Sequence, residues 1–384
     1  GDVYKRQAQK QGVPAVPVEA LRTQRDYMVA AGAMGLGPEE ARQLLDEASA
    51  ELSDPRERMR TSVAFLLEDG RPRPVPVSVG IYLVDVTNIN ETRNTFYAEL
   101  DVAVAWRDER LAFDAAAEGT DRRIHVGDDS RNVHKNIWTA QIGVANPVGN
   151  LSVGQEKLTI FADGRVQILV RVGATCRANL DYRSFPFDKQ VLPLNLESFA
   201  WNRDVVKLVP DPDHSGFAPD FDLAEWDVED LAHRTVDVPR VRDTVPFSNL
   251  NYEIRIQRKS GYYLWKIFLT VFIITTLTFV VFFMSKEGLG RRAGISSSGI
   301  LTVIAYQFVT TSTLPRVSYL TVADRVMSVS IVTIALTMAV SNLVDRIDYE
   351  NHATRLRIDR ICRVVFPLGY ATALLLIISR PWMF

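Results

Sequence analysis

Residues 294–315, GISSSGILTVIAYQFVTTSTLP, put hydroxyl side chains through a helix-length segment that carries no charge. At helical spacing Gly294, Ser298, Leu301, Ala305, Phe308 and Ser312 recur at steps of four and three and share one narrow stripe. Ile295, Ile300, Val303, Ile304 and Val309 are left on the other faces for packing. Polar side chains at membrane depth persist where they face protein or a water-filled cavity. Two arrangements fit the stripe. Several copies in a ring enclose water, with Leu301 and Phe308 as apolar constrictions that gate by dewetting, or the small residues let neighbouring helices pack closely.

A second constellation lies at residues 211–222, DPDHSGFAPDFD, where Asp211, Asp213, Ser215, Gly216 and Asp222 match the ligand spacing of an EF-hand calcium loop. Pro212 and Pro219 interrupt it and no helical pattern flanks it, so a divalent site, with calcium as a modulator, stands beside an ordinary solvated acidic loop. Catalytic patterns are missing. The five His residues lack metal-ligand spacing, GLGRRAG follows no strand pattern, and no G-x-S-x-G occurs. Neither enzyme activity nor a resident cofactor is expected.

The chain has 384 residues, 47% hydrophobic and 23% charged, with a net charge of −2 that excludes a polybasic nucleic-acid binder. That average hides a division. Most Asp and Glu precede residue 261, whereas 261–384 hold apolar runs long enough to cross ~30 Å of hydrocarbon. Spans are expected at about 261–284, 294–313, 322–344 and 361–380. Residues 74–260 alternate β-branched and aromatic residues with polar ones between Asn, Asp, Gly and Pro clusters, as a β-sandwich of the immunoglobulin-like kind requires. The fold class expected is thus a β-sandwich followed by a four-helix membrane domain. A helical appendage precedes it over 8–70, in which Pro38 and Pro55 open helices and Gly70 ends the second. Residues 1–7 contain DVYKRQ, which resembles a translated sequencing-library adapter; the expectation is a foreign start and a missing export signal.

Basic residues orient the spans. Lys286, Arg291 and Arg292 precede the second, and Arg346, Arg355, Arg357, Arg360 and Arg363 lie between the third and the heart of the last, so both links are expected in the cytoplasm. The sandwich is then outside, periplasmic in a bacterium, and the protein sits in the inner membrane. Cys176 and Cys362 fall on opposite sides of the bilayer, which excludes a disulfide between them.

Five strings occur in order: WRDERL (106–111), FPFDKQ (185–190), IQRK before the first span, LPRVSY (314–319) and RVVFPLGY (363–370). Together they make the chain from about 74 to 384 resemble the pentameric ligand-gated ion channels, the Cys-loop receptor superfamily, and among them the prokaryotic members activated by amines. The resemblance implies a homopentamer in membrane lipid that opens to inorganic ions when a small molecule binds between neighbouring sandwiches. It also implies that Pro186, Phe187 and Asp188 at the foot of the sandwich meet Pro315, Arg316 and Tyr319 after the pore helix, with Arg258 pairing with Asp188 or another acid. Such a pair is either a static salt bridge or a bistable gating element.

For the ligand, the resemblance puts Phe199 at the central aromatic, Phe247 at the aromatic that caps the pocket, and Glu197 nearby as a carboxylate. Asp101 and Ala145 stand where the family often has aromatics, so an amine agonist is an expectation on an incomplete box, and the alternative is that Phe199 and Phe247 are partly core. Ala178 and Leu192 occupy the family's disulfide position, and the first span lacks the usual proline. At the cytoplasmic mouth Glu287, Arg291 and Arg292 form the selectivity region. Basic rings there favour anions, but an arginine turned into the linker contributes nothing, so the sign stays open. A non-conducting membrane-anchored sensor or assembly protein is the alternative from another class.

Overall fold

The computed structural model describes residues 67–68, 71–72, 74–241, 244–284, 289–311, 317–347 and 352–379. The adapter-like start and nearly all of the expected helical appendage lie outside the described residues. At its end, where a helix is expected, Leu67–Glu68 (β1) pairs antiparallel with Arg71–Pro72 (β2). Asp69 and Gly70 between them are, in sequence, the dipeptide that tight hairpins favour over helix continuation.

Two sheets follow. One has the order β10 (Val206–Pro210), β3 (Val75–Asn90), β4 (Thr95–Arg107), β8 (Arg165–Arg177), β7 (Ser152–Phe161), β5 (Arg122–Val126), with β11 (Gly216–Phe217) also on β3. The other runs β12 (Trp226–Val238), β13 (Phe247–Arg258), β9 (Lys189–Ser198), β6 (Ile142–Val144). Two short helices, α1 (Ala115–Glu118) and α2 (Asp128–His134), flank β5. Alternation drives the packing: Val77, Val79, Ile81 and Leu83 on β3 point inward, as do Leu192, Leu194 and Leu196 on β9, into one shared core. An extra residue at Val84, where the register shifts between Leu83 and Asp85, turns Val86 inward in the opposite phase. Tyr252 of β13 ties the sheets by donating to the Val79 carbonyl at 2.7 Å.

The chain passes from β13 into α3 (Gly261–Phe283), which widens to a π turn over Leu264–Phe268 and tightens to 3-10 winding over Phe279–Phe283. Then come α4 (Leu289–Thr311), α5 (Val322–Ile347) and α6 (His352–Ser379). Among the described residues three helical stretches are long and apolar enough to cross a membrane, Gly261–Phe283, Val322–Val344 and Arg357–Ser379. The Ser- and Thr-rich α4 is not one of them, and it starts at Leu289 rather than 294, which brings Arg291 and Arg292 inside the helix.

Gly299 lets α4 lie directly on α3, for a Cβ there would stand 2.6 Å from Thr278 Cγ2. Gly299→Val should therefore push the helices apart and cost about 1–3 kcal/mol. Its readout is a lowered midpoint of thermal unfolding in detergent, with Gly294→Ala as the tolerated control, since nothing lies within 4 Å of that Cβ position.

Candidate functional site

The foot of the sandwich gathers charge in a place without water. The β9/β13 ladder ends on Gln257 opposite Lys189, so Arg258 and Asp188 are the next pair outward, with Arg258 N–H on the Asp188 carbonyl at 3.1 Å. Arg258 then forks onto the same residue's carboxylate, Nε to Oδ1 at 2.8 Å and Nη2 to Oδ2 at 3.1 Å. Its Nη1 reaches Glu91 Oε1 at 2.6 Å. On the other side the guanidinium lies 4.1 Å from the Trp226 ring centroid, its register partner in β12. Side-chain exposures of 0% for Arg258 and 1% for Asp188 make this a buried ion cluster.

Such a cluster persists only when its partners are complete. Burial by itself would lower the pKa of Arg258, but the hydrogen bonds and charges of Asp188 and Glu91 outweigh it and hold the guanidinium firmly protonated. At Glu91 the balance is reversed. Burial raises its pKa above the ordinary 4.5, and the Arg258 charge offsets only part of that.

The same foot grips the helices. Tyr182 N–H donates to the Tyr319 hydroxyl at 3.1 Å, Ala323 N–H at the start of α5 donates to the Phe185 carbonyl at 3.2 Å, and Arg325 Nη2 donates to the Arg183 carbonyl at 3.3 Å. Arg183 also lies over the Tyr319 ring at 4.6 Å, and Phe187 packs edge-on against Phe268 of α3 at 6.1 Å. Pro186 is buried within this turn. Pro315 and Arg316 lie outside the described residues. Sequence reasoning missed Glu91, Tyr182 and Trp226. Trp226 was findable by counting β12 against β13, whereas Glu91 sits in a connection that no pattern marks.

On α4, Gly294, Ser298, Leu301, Ala305 and Phe308 all lie on the side turned away from the chain's other helices, Leu301 at 70% and Phe308 at 74% exposure. Ser312 is outside the described residues, as is Glu287. Ser296, Gly299 and Val303 are buried against the neighbouring helices. The two arginines part ways. Arg291 is exposed, but Arg292, expected in the selectivity region, is fully buried and donates through Nη2 to the Met284 carbonyl at the end of α3. Successive helix positions differ by about 100°, so one of two adjacent arginines must face inward.

The expected ligand residues divide between the sheets. Asp101 is on β4, where Arg171 holds it by Nε and Nη2 at 2.8 and 3.0 Å. Ala145, Glu197, Phe199 and Phe247 belong to the β6–β9–β13 side. Phe199 is presented at 73% exposure and Ala145 is exposed. Two expectations need correction. Phe247 does not cap a pocket from a loop: it is the first residue of β13, paired with Val238 and 2% exposed, so it packs inside. Glu197 is no open carboxylate either, being 5% exposed with Arg240 Nη2 on its Oε2 at 2.7 Å and Asn249 Nδ2 on the same oxygen at 3.2 Å.

The acidic loop 211–222 does not close into an EF-hand. Gly216–Phe217 run as β11 along β3 in its middle. Asp211 accepts from the His214 N–H at 3.3 Å, Ser215 Oγ donates to the Asp211 carbonyl at 2.5 Å, and Asp222 instead meets Lys259 Nζ at 3.4 Å. Asp213 stays exposed in the turn. Among the described residues no three His, Cys, Asp or Glu side chains gather closely enough to hold a metal ion.

Residues 67–260 match the sequence model described as Neurotransmitter-gated ion-channel ligand binding domain. Relatives extend the likeness beyond it. The chain is 24% identical over 301 residues to a proton-gated ion channel of Gloeobacter violaceus, covering 78% of this chain and 81% of that one. It is 24% identical over 270 residues to the gamma-aminobutyric acid receptor subunit rho-2 of Bos taurus, covering 69% and 57%. To the rho-1 subunit of Mus musculus it is 23% identical over 305 residues, covering 77% and 62%. The chain thus spans less than two thirds of the receptor subunits.

Proposed function

The chain belongs to the neurotransmitter-gated ion-channel family, a family of channels and not of enzymes, and from that premise we propose that it is a homopentameric ligand-gated ion channel of a bacterial inner membrane with its sandwich in the periplasm. The observation that carries the reading is the buried Asp188–Arg258–Glu91 cluster, set where the sandwich foot holds Tyr319 and α5. A ligand that binds the open arrangement better than the closed one shifts the gate by that differential affinity, and this junction is where a strain in the sandwich reaches the helices. Five copies of α4 with their exposed stripes inward form the pore, and Leu301 and Phe308 form its apolar gates.

Agonist binds between neighbouring sandwiches, where the exposed Phe199 of one copy faces the Asp101 side of the next. A cation over such a ring gains about 2 kcal/mol when desolvated, which supports an amine. Because Glu197 is already taken by Arg240, the amine relies on ring faces or displaces that arginine. With Arg292 withdrawn, Arg291 and Glu287 supply the charge at the inner mouth, and the reversal potential of Arg291→Gln against the parent reports which sets the ion's sign. Calcium modulation through Asp211, Asp213, Ser215 and Asp222 would require the 211–222 loop to refold around the ion.

The proton is a second agonist reading, favoured by Glu91 and by the name of the Gloeobacter relative. As pH falls, the folded protein protonates Glu91 before an unfolded chain protonates an ordinary glutamate. Its contribution to stability therefore rises between the raised folded value and the ordinary 4.5, while Arg258 loses one of its two carboxylates. Glu91→Gln should flatten the pH dependence of the thermal midpoint in that window and remove any acid-evoked current. An unchanged pH profile in both would end the proton reading.

The test of the proposal is recording from purified protein in planar bilayers with amines and with acid steps. Ligand-evoked, unitary currents are expected; a silent protein that still binds ligand is the membrane-anchored sensor instead.

A further inference from the structure

Near the foot of the sandwich, a hollow of ≈ 420 Å³ is lined by Asn88, Asn90, Arg93, Thr95, Tyr97 and Thr175. Tyr97 lies four residues nearer the foot than Asp101 on β4, about 13 Å along the strand, so the hollow is apart from the face proposed for the agonist. We propose that it is a second small-molecule site, one that takes a short dicarboxylate.

Alternation brings these side chains together. Tyr97 and Thr175 are opposite each other on β4 and β8, and Thr95 is opposite Arg177. Thr175 and Arg177, two apart on β8, share a face, so Arg177 stands at the rim. Gly173 leaves the space that the Tyr97 hydroxyl fills, for a Cβ there would collide with it. The connection between β3 and β4 closes the other side, with Asn88 and Asn94 in the left-handed region at φ 49° and 53° and the Arg93 N–H on Asn90 Oδ1 at 2.9 Å.

Every polar lining side chain can donate a hydrogen bond, and no Asp or Glu is among them. Arg93 and Arg177 are exposed, and neither makes an ion pair among the described residues, in contrast to Arg171 on Asp101 or Arg255 on Asp230. Two guanidiniums without counter-ions beside a donor-rich hollow fit an anion rich in acceptors, and each matches one carboxylate in a planar fork. Ile89, the one apolar lining residue, covers the carbons between the carboxylates. Cations are repelled, which keeps an amine agonist out.

The lining connection also carries Glu91. Between Asn90 and Arg93, its Oε1 turns to Arg258 Nη1 at 2.6 Å and its carbonyl accepts from the Tyr182 hydroxyl at 3.1 Å. An anion that fixes Asn90 and Arg93 fixes the residue between them, so occupancy modulates the response to agonist. The binding claim stands without the channel reading; the modulation claim rests on it.

The experiment titrates succinate, and succinamide as its uncharged counterpart, into the intact purified protein at constant ionic strength, reading heat of binding and thermal midpoint. Saturable binding is expected for succinate alone. Arg93→Gln and Arg177→Gln, both at exposed positions, should each weaken it about tenfold or more. Unchanged binding in Arg93→Gln refutes the site, as does an effect of succinate no larger than that of the sodium chloride it replaces. A loss confined to Arg93→Gln overturns the dicarboxylate, and a loss in Arg171→Gln but not in Arg93→Gln puts the anion on the agonist face instead. Should one variant fail to assemble, the other decides together with the succinate–succinamide difference. In recordings, succinate should shift the agonist concentration response of the parent but not of Arg93→Gln. Binding without that shift overturns the coupling, and a protein that binds succinate but never conducts overturns the channel reading while leaving the anion site intact.

Discussion

Arg258→Met should abolish agonist-evoked current and destabilise the fold by about 3–5 kcal/mol, because it leaves Asp188 and Glu91 as uncompensated buried carboxylates. The loss is asymmetric. Combining Asp188→Asn and Glu91→Gln with Arg258→Met removes every charge of the cluster and should recover much of the folding, since a neutral set of similar volume replaces a costly ionic one. It should not recover gating, because the fork that binds β13 to the 185–188 turn is gone. Arg258→Lys separates the two roles again: its ammonium keeps the charge but cannot bridge Asp188 and Glu91 in one plane. Assembly, followed by size-exclusion profile and thermal midpoint, should survive in the Lys variant while the agonist concentration response shifts. Full current in Arg258→Met would show that the cluster plays no part in transmission.

Leu301→Ser should make the channel leak without agonist. In the pentameric pore we propose, five leucines, one per copy, would exclude water from a narrow ring when it is closed, and each serine would weaken that exclusion by about 1 kcal/mol on the scale of a buried methylene. Because every subunit carries the change, the effect approaches the ~5.5 kcal/mol that turns a 1:99 equilibrium into its reverse. Measured as basal current relative to maximal agonist current, the variant should move from near zero to a large fraction. Phe308→Ala should do the same at the outer layer. Ser298, nearer the start of α4, should alter conductance rather than the resting open fraction.

Most of the sandwich was readable because its strands alternate cleanly, with Val77, Val79, Ile81 and Leu83 announcing the inner face of β3 residue by residue. On α4 the exposed positions 294, 298, 301, 305 and 308 recur at the helical spacing read from the sequence, whereas Val309, expected to pack, is 66% exposed. What failed has several causes. Counting along the chain from Arg258 reaches Phe247 but does not tell which face of the strand it occupies, and the side-chain period of two makes that the whole question. Glu197 was read as open because its partner Arg240 lies 43 residues away in a hairpin with no pattern of its own. At the end of the expected appendage, helix signals alone gave no hint that Leu67–Glu68 pairs with Arg71–Pro72. Arg292 shows the limit of reading charge from sequence position, because burial and the Met284 carbonyl determine where that charge is spent.

The native thiols leave room for a direct test of the stripe. Cys176 is buried with its pKa pushed up to about 12 by that burial, and Cys362 is buried as well. Cysteines introduced at Ser298, Ala305 and Val303, one at a time, can then be challenged during recording with a charged, water-borne thiol reagent. The account predicts rapid, irreversible change of current at 298 and 305 while agonist holds the pore open, and none at 303, which is fully buried inside the subunit. Modification at 303 with silence at 298 and 305 would contradict it, for water would then run along a different face of α4.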